Sequence, residues 1–445
     1  MNHSNYIIDT IKIQDYNLKL INITHEHVKG NKTIILNCEI IENEVISCPI
    51  CGSIKYHIKD YYERNIKYLE MFGYKSIIRV KQKRVVCCDC NKSYNIQSSI
   101  ISKGCSISNP TKLKIIQESK SKQSFTDIAL RLGVSTTHTI STFNEHIAIS
   151  RNKLTEIICV DEFKANTEHG KYAFILGDPT TGEIIDILPS RKQEYIYHYF
   201  KDVPGKERFG VKYFVSDMFE SYRTVKRELF PNAIHIADRF HWIRCAVDSF
   251  NSLRIRIMKE YSKERDVSLD IDLKNELNLY IKAMKSNYKL LLANRYRKEE
   301  SYFSEDGKIP GYREPITRQQ IIELIINSSK ELEIGYFLLQ DLYKLSIFSS
   351  FDTIKNDLYN WIKEARKSKL KEFKKTCSTY MSWMNEIVNS FIIDDKTKKR
   401  LSNGFMEGKN NFCKIVNRIS FGYKNFDLLR NRILYTSNEK IIIKN

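Results

Sequence analysis

Glycine and proline are scarce, with 16 Gly and 8 Pro in 445 residues. That excludes a collagen-like or low-complexity chain. No apolar run approaches the ~20 residues of a membrane span, which argues against an integral membrane protein. The first residues, MNHSNYIIDTIKIQDYN, lack the basic-then-apolar order of a signal peptide, so a cytoplasmic chain is expected. No internal repeat is visible. Acids are in deficit, 53 Asp+Glu against 72 Lys+Arg, which leaves a net charge of +19. A polyanionic partner follows, and nucleic acid is the commonest one. Abundant Ile, Lys, Asn and Tyr, the mark of an AT-rich genome, explain part of that excess.

Hydrophobic residues still make up 42% of the chain, enough for real cores, and the length suits about three domains. Six of the 11 cysteines (Cys38, Cys105, Cys159, Cys245, Cys377 and Cys413) are scattered and read as small buried hydrophobes. The other five cluster, as Cys48-Pro-Ile-Cys51-Gly and Cys87-Cys88-Asp-Cys90. Two CxxC pairs flanking strand-like stretches (Asn65–Glu70 and Lys75–Val86) suit one tetrahedral zinc. The expected ligands are Cys48, Cys51, Cys87 and Cys90, with Cys88 spare. Four thiolates leave no open position, so this zinc is structural.

Residues 1 to about 45 read as irregular and alternating, with a strand at Lys32–Glu42. Asn109-Pro110 opens a helix over Thr111–Lys120. Ser124–Ser135 then has the pattern of a helix and tight turn, with Ala129 for close helix approach and Gly133 for the turn. The second helix is expected over Thr136–Ala148, with Ile140 and Phe143 inward. Thr136, Thr137, His138 and Ser141 would be exposed to reach base edges or phosphates. A plain helical hairpin is the alternative.

From Glu156 the pattern becomes β-β-β-α-β-α-β. Ile157–Phe163, Lys171–Asp178, Gly182–Pro189, Val211–Asp217 and Asn232–Asp238 are strands, and Ser190–Lys201 and Glu220–Phe230 are helices. Residues 243 to about 400 are helical almost throughout, and a last strong helix follows Ser402-Asn403. Asp161 and Asp217 each end an apolar strand, and this order sets those strands side by side. A buried charge is costly without a partner, and hard divalent cations are the usual solution for paired carboxylates. Glu407 is the candidate third acid of a two-metal clamp for phosphoryl displacement. Asn403, Glu407, Asn410, Lys414 and Arg418 share one helix face, as a helix lying along a phosphate backbone would show. A solvated helix face is the alternative.

These blocks, taken in order, resemble the DDE transposases of bacterial insertion sequences, of the ISL-three family. The resemblance covers nearly the whole chain. It rests on the cysteine pairs, the helix-turn-helix and Val160-Asp161-Glu-Phe163. It rests also on Val215-Ser-Asp217-Met, Ala237-Asp238-Arg-Phe-His241 and Ser402-Asn-Gly-x-x-Glu407-Gly-x-Asn410. The resemblance implies an α/β core with an RNase H-like mixed sheet and a large all-helical insertion. A small zinc-binding domain and a helix-turn-helix precede that core. The implied layout is 1–104 with a zinc ribbon at about 45–95, 105–150 helix-turn-helix, 151–242 core, 243–400 insertion and 401–445 core again. Asp161, Asp217 and Glu407 would bind two Mg²⁺ (or Mn²⁺), with Asp238 and His241 behind them. Asn403, Asn410, Lys414 and Arg418 would contact DNA. The partners implied are terminal inverted repeats and target DNA, bound by a homodimer or higher multimer in the bacterial nucleoid. Two other readings use the same residues: a DNA-binding regulator with an inactive RNase H-like domain, and a structure-specific nuclease.

Overall fold

The computed structural model describes residues 17–28, 30–41, 45–395 and 397–438. Part of the irregular N-terminal stretch, and the end of the strand expected at Lys32–Glu42, lie outside the described residues. The chain forms two compact units. One comprises Met1–Asn152, Ala165–Lys171 and Phe412–Asn445, and the other Lys153–Lys164 and Tyr172–Asn411.

The first unit opens on a sheet of β1 (Leu18–Val28), β2 (Asn31–Ile40), β3 (Tyr56–Met71), β4 (Tyr74–Cys87) and β5 (Ser93–Asn95), in the order β1-β2-β4-β3 with β5 also on β4. Strand β2 runs parallel to β4, while β3 and β4 form a long antiparallel hairpin. Phe72 (φ 52°) and Gly73 (φ 80°) both take positive φ at its tip, which matches the right-handed twist of the flanking strands. Leu36, Ile66, Ile78, Val80 and Val85 fill the core beneath. Sequence reading placed no strand at β1, an edge strand whose residues are mostly exposed.

Three helices follow: α1 (Asn109–Glu118), α2 (Phe125–Leu132) and α3 (Thr136–His146). Ser124 and Asp127 form a capping box at the start of α2, Gly133 ends it at φ 66°, and Ser135 caps α3. The helix-turn-helix pattern is therefore built as read, with Phe125 and Phe143 in contact at 5.2 Å between ring centroids. Two expectations need correction. Helix α3 stops at His146, and its buried face is Thr139, Thr142 and Phe143, while Ile140 is half-buried. Thr137 and Ser141 are exposed, but Thr136 and His138 are half-buried because the same rotation of α3 turns them toward the protein.

The second unit is built on a mixed sheet of β6 (Ile157–Thr167), β7 (Gly170–Asp178), β8 (Glu183–Leu188), β9 (Tyr213–Ser216) and β10 (Ile234–Ala237). Their order is β10-β9-β6-β7-β8, with β9 parallel to both β6 and β10, and β7 antiparallel to β8. Helices α4 (Gln193–Asp202), α5 (Gly205–Phe209) and α6 (Glu220–Leu229) connect these strands. Phe174, Phe200, Phe214, Tyr222, Val225 and Phe230 pack into one core with the sheet. The β-β-β-α-β-α-β reading holds, with the short α5 added.

The helical region begins with α7 (Arg239–Val267), α8 (Ile271–Ser286) and α9 (Tyr288–Leu291). It continues through α10 (Glu300–Ser304), α11 (Arg318–Asn327) and α12 (Lys330–Phe348) to α13 (Ile354–Lys367), α14 (Lys371–Ser382) and α15 (Met384–Asn389). It owns a separate core around Trp242, Phe250, Leu339, Trp361 and Tyr380. No helix among the described residues is long and apolar enough to cross a membrane. The α/β core with a large helical part is therefore as expected. Helix α16 (Gly404–Ile419) then starts in the second unit and ends in the first, and α17 (Phe426–Ser437) closes the described chain.

Within the first unit, Arg432 of α17 clamps the helix-turn-helix. It is 2% exposed, donates to the carbonyls of Ser119, Ser121 and Gln123, and its guanidinium lies 4.7 Å from the Phe125 ring. Those carbonyls belong to the end of α1 and the loop before α2, so one side chain satisfies groups that the helix leaves open.

Candidate active site

Strand β6 does not stop at Asp161, as its apolar run implied, but runs on to Thr167. Its parallel pairing with β9 matches Cys159 to Val215. Asp161 lies two residues on in β6, and Asp217 lies two residues on, just past the end of β9, so the two acids are brought to neighbouring positions. Asp161 Oδ1 accepts the Glu162 N–H at 2.8 Å, and Oδ2 accepts Asn410 Nδ2 at 2.8 Å. Asp217 differs: its Oδ1 is buried and has no hydrogen-bond partner. Burial pushes Asp217 up to about 6; the neighbouring His241 opposes this, while Asp161, Glu162 and Asp238 add to it. Burial also pushes Asp161 up, against the Glu162 N–H, His241 and Asn410. Two adjacent carboxylates with one orphaned oxygen form a donor set that fits a hard divalent cation.

Asp238 ends β10 and is 5% exposed. Its N–H donates to Ser216 O at 2.7 Å, and its Oδ1 accepts the Asn403 N–H at 2.9 Å. His241 follows in the first turn of α7, its N–H on Asp238 O at 3.2 Å. Glu162 pairs with Arg191, whose guanidinium lies 4.7 Å from the Tyr172 ring and 5.8 Å from the Phe219 ring. Glu407 is exposed in the first turn of α16, one helical turn before Asn410. Gly177 of β7 allows that turn to come close: a Cβ there would meet Phe405 at 2.7 Å and Met406 at 2.9 Å.

The cysteine module is compact. Among the described residues, Cys48, Cys51, Cys87 and Cys90 are the one group of three or more His, Cys, Asp or Glu with ligand atoms all within 4.8 Å of one another. Cys48–Cys90 and Cys51–Cys87 sulfurs are 3.7 and 3.5 Å apart. Sulfurs at about 2.3 Å from a tetrahedral zinc stand about 3.8 Å apart, so the four thiols fit that ion. The N–H groups of Cys90 and Asp89 pull Cys87 down to about 6, and those of Cys51 and Ile50 lower Cys48, against burial in both cases. Cys88 is exposed and outside the group.

The sequence model of the ISL3 transposases matches residues 158–433, which include the whole mixed sheet and both Asp positions. The chain belongs to the ISL3 transposase family. A second model, the zinc finger of the IS204/IS1001/IS1096/IS1165 transposases, matches residues 44–90. The chain is also 20% identical over 418 residues to a transposase for insertion sequence element IS1001 from Bordetella parapertussis, covering 89% of this chain and 90% of that protein.

In this ISL3 family member, two residues expected on the DNA side of α16 are turned inward. Asn403 is 4% exposed and donates through Nδ2 to Val160 O at 3.0 Å, and Asn410 is 8% exposed and holds Asp161. The face that carries them packs on the sheet, so their amides serve the acids and not a phosphate backbone. Lys414 and Arg418, placed on the same face by their spacing, are exposed.

Sequence reasoning missed Arg191 and the pair Ser216–His235. Ser216 Oγ donates to Asp217 O at 2.7 Å and lies 2.8 Å from His235 Nε2. With the hydroxyl proton so used, His235 donates from Nε2. Burial, with Lys226 and Arg223 behind it, pushes His235 down to about 3. Glu386 Oε1 is 3.9 Å from Nδ1 but does not reverse this, because Arg223 holds both Glu386 oxygens at 2.9 and 3.2 Å.

Proposed function

We propose that this ISL3-family chain is an active transposase. It binds the terminal inverted repeats of its own insertion sequence, cuts them, and joins them to target DNA. The observation that supports this most is Asp217: a buried carboxylate oxygen without a hydrogen-bond partner, just past the end of β9, whose Val215 pairs with Cys159 two residues before Asp161.

Asp161, Asp217 and Glu407 would hold two Mg²⁺ or Mn²⁺ ions, with Asp238 and His241 bordering them. Such ions, when bound, acidify the attacking water or 3′-OH and stabilise the leaving oxygen of an in-line displacement. The chain's own part is placement. The pairing of β6 with β9 fixes two acids, and Asn410 orients Asp161. Asn403 ties the start of α16 to Val160 and Asp238, and Glu407 rides on the same helix. The zinc ribbon at about 45–95 and the helix-turn-helix at 105–150 (within the five-part layout given above) would grip the ends through Thr136, Thr137, His138 and Ser141. Lys414 and Arg418 would follow the backbone near the cut. Cutting two ends together calls for a dimer or higher multimer on DNA.

A supercoiled plasmid carrying the DNA that flanks the gene tests this, with Mg²⁺ and the Asp161→Asn protein as control. Nicks at the repeat termini that vanish with Asp161→Asn are expected. Retarded mobility without nicks would favour the regulator, and equal cutting of unrelated branched DNA the nuclease.

A further inference from the structure

A concavity in the second unit lies among the insertion helices. It is a cavity of about 640 Å³ lined by Arg295, Tyr296, Lys298, Gln319, Phe337 and Asp341, among others. That size falls within the roughly 300–1,000 Å³ of small-ligand sites. Its rim offers flat apolar faces to solvent, with Tyr296 42% and Phe337 46% exposed. Among the described residues, Arg295 and Lys298 form no ion pair with a carboxylate. The Arg295 guanidinium reaches the Gln319 amide oxygen at 3.4 Å and the Tyr336 hydroxyl and lies 5.9 Å from the Phe303 ring, and Lys298 Nζ sits 4.6 Å from the Tyr302 ring.

A second observation stands beside this one. Arg239 and Arg400 meet at one carbonyl, Ser346 O, and neither forms an ion pair among the described residues. Arg400 donates to Ser346 O and Ser349 O at 2.9 and 2.6 Å, and so already caps the end of α12. Arg239 adds only a long contact to Ser346 O, at 3.5 Å. Burial first, then Arg297 and Arg400, push Arg239 below its ordinary value, with Asp238 alone opposing. Uncompensated guanidinium groups held together are what a phosphate binds. Arg239 directly follows Asp238, and Arg297 lies between Arg295 and Lys298 in sequence. Chain connectivity thus sets Arg239 beside the end of β10 and Arg297 among the residues that line the cavity.

We infer that the insertion holds one unpaired nucleotide of a DNA strand, its base in the cavity against Tyr296 or Phe337 and its phosphates along Arg239, Arg297, Arg400, Arg295 and Lys298. This rests on the reading of the protein as a transposase for its source of DNA. A duplex keeps its bases stacked inside, so a cavity rimmed by rings fits a splayed base better. Gln319 and Asp341 offer acceptors to the base edge.

The test uses the full chain and a fluorescein-labelled 12-nucleotide single strand containing 4-thiothymidine, without added divalent cation. Photocrosslinks at Tyr296 or Phe337 are expected. Phe337→Ala should weaken binding by about 5- to 150-fold with its salt dependence unchanged, as for a lost stacking contact. The double substitution Arg297→Ala and Lys298→Ala should instead lower the slope of log affinity against log salt by roughly 0.7 per contact. Both changes are at exposed positions, and melting curves confirm that the variants fold. Crosslinks confined to the zinc and helix-turn-helix residues, or variants that bind like wild type, overturn the inference. So does displacement of the strand by equimolar dTMP, which would make the site a free-nucleotide pocket. Strand binding does not need cleavage. Loss of plasmid nicking with these contacts intact would sink the transposase reading and leave the inference standing.

Discussion

Asn410→Ala is the sharpest probe of the acid site. Its Nδ2 donates to Asp161 Oδ2 at 2.8 Å across 249 residues of sequence. A hydrogen bond to a charged group is worth roughly 1.5–3 kcal/mol, and each 1.4 kcal/mol is about tenfold in an equilibrium constant. If the bond stabilises and aims the ionised, cation-ready form of Asp161, its loss should raise the half-saturating Mn²⁺ concentration about 10- to 100-fold. Paramagnetic resonance of free Mn²⁺ reads that directly, without turnover. Plasmid nicking at fixed Mn²⁺ should fall in parallel and recover in part at high Mn²⁺. Asn410→Asp, which keeps the size but sets a carboxylate against Asp161, should not restore binding. The fold should persist, since alanine favours the α16 helix and asparagine does not. Unchanged Mn²⁺ affinity and nicking in Asn410→Ala would refute the reasoning. Asn410 would then be a packing residue, and its bond to Asp161 incidental.

Other consequences follow from single residues. Arg432→Leu should strand the buried carbonyl of Ser119 and the part-buried carbonyls of Ser121 and Gln123 and cost about 3–5 kcal/mol, read as a shift in the urea midpoint; Arg432→Lys should rescue little, since one ammonium cannot span three acceptors. The chain should carry one zinc, measured by release to a chromogenic chelator, and Cys51→Ser should lose it. The β1–β5 sheet should survive that loss by circular dichroism, because Leu36, Ile66, Ile78 and Val80 form its core independently of the cysteines. His235 is held at about 3 when folded, against an ordinary 6.5. The unfolded chain therefore binds the extra proton between those values, so its contribution is complete above pH 6.5 and is lost as pH falls toward 3. The whole effect is at most roughly 4–5 kcal/mol. A His235→Gln protein should lose less stability than wild type between neutral and acid pH, and equal losses would refute the assignment.

Much of this architecture is legible in the chain because local signals agree with the fold. The cysteine spacing, the Ser124–Asp127 box and Gly133 each specify a local geometry that needs no distant partner. The apolar strands of the mixed sheet announce themselves for the same reason: they are covered on both faces, so their apolar runs are continuous. What escaped reading depends on distant partners. Strand β1 is polar because it is an edge. The inward turn of Asn403 and Asn410 is invisible in a pattern that places them beside Glu407, Lys414 and Arg418 on one polar helix face. Period gives the face, but only packing decides which part of it meets the sheet. Arg432 carries no local signal for its role, because the carbonyls it serves lie about 310 residues earlier in the chain.

That last class of residue also explains how so long an insertion is tolerated between the acids. The entropy of closing a loop grows only slowly with its length, and a separately cored helical region shortens the effective loop further. What remains is to return α16 in one register. Three bonds do this within about two turns of helix: Asn403 N–H to Asp238, Asn403 Nδ2 to Val160 O, and Asn410 Nδ2 to Asp161. Gly177 clears the space for Phe405 and Met406 between them. Every one of these contacts lands on β6, β7 or the end of β10, and none on the insertion. The position of Glu407 is thereby set by the sheet, whatever the helices between them do. Shortening the insertion at an exposed loop such as Val267–Asp270 should therefore leave the Asn410–Asp161 bond, and Mn²⁺ binding, in place.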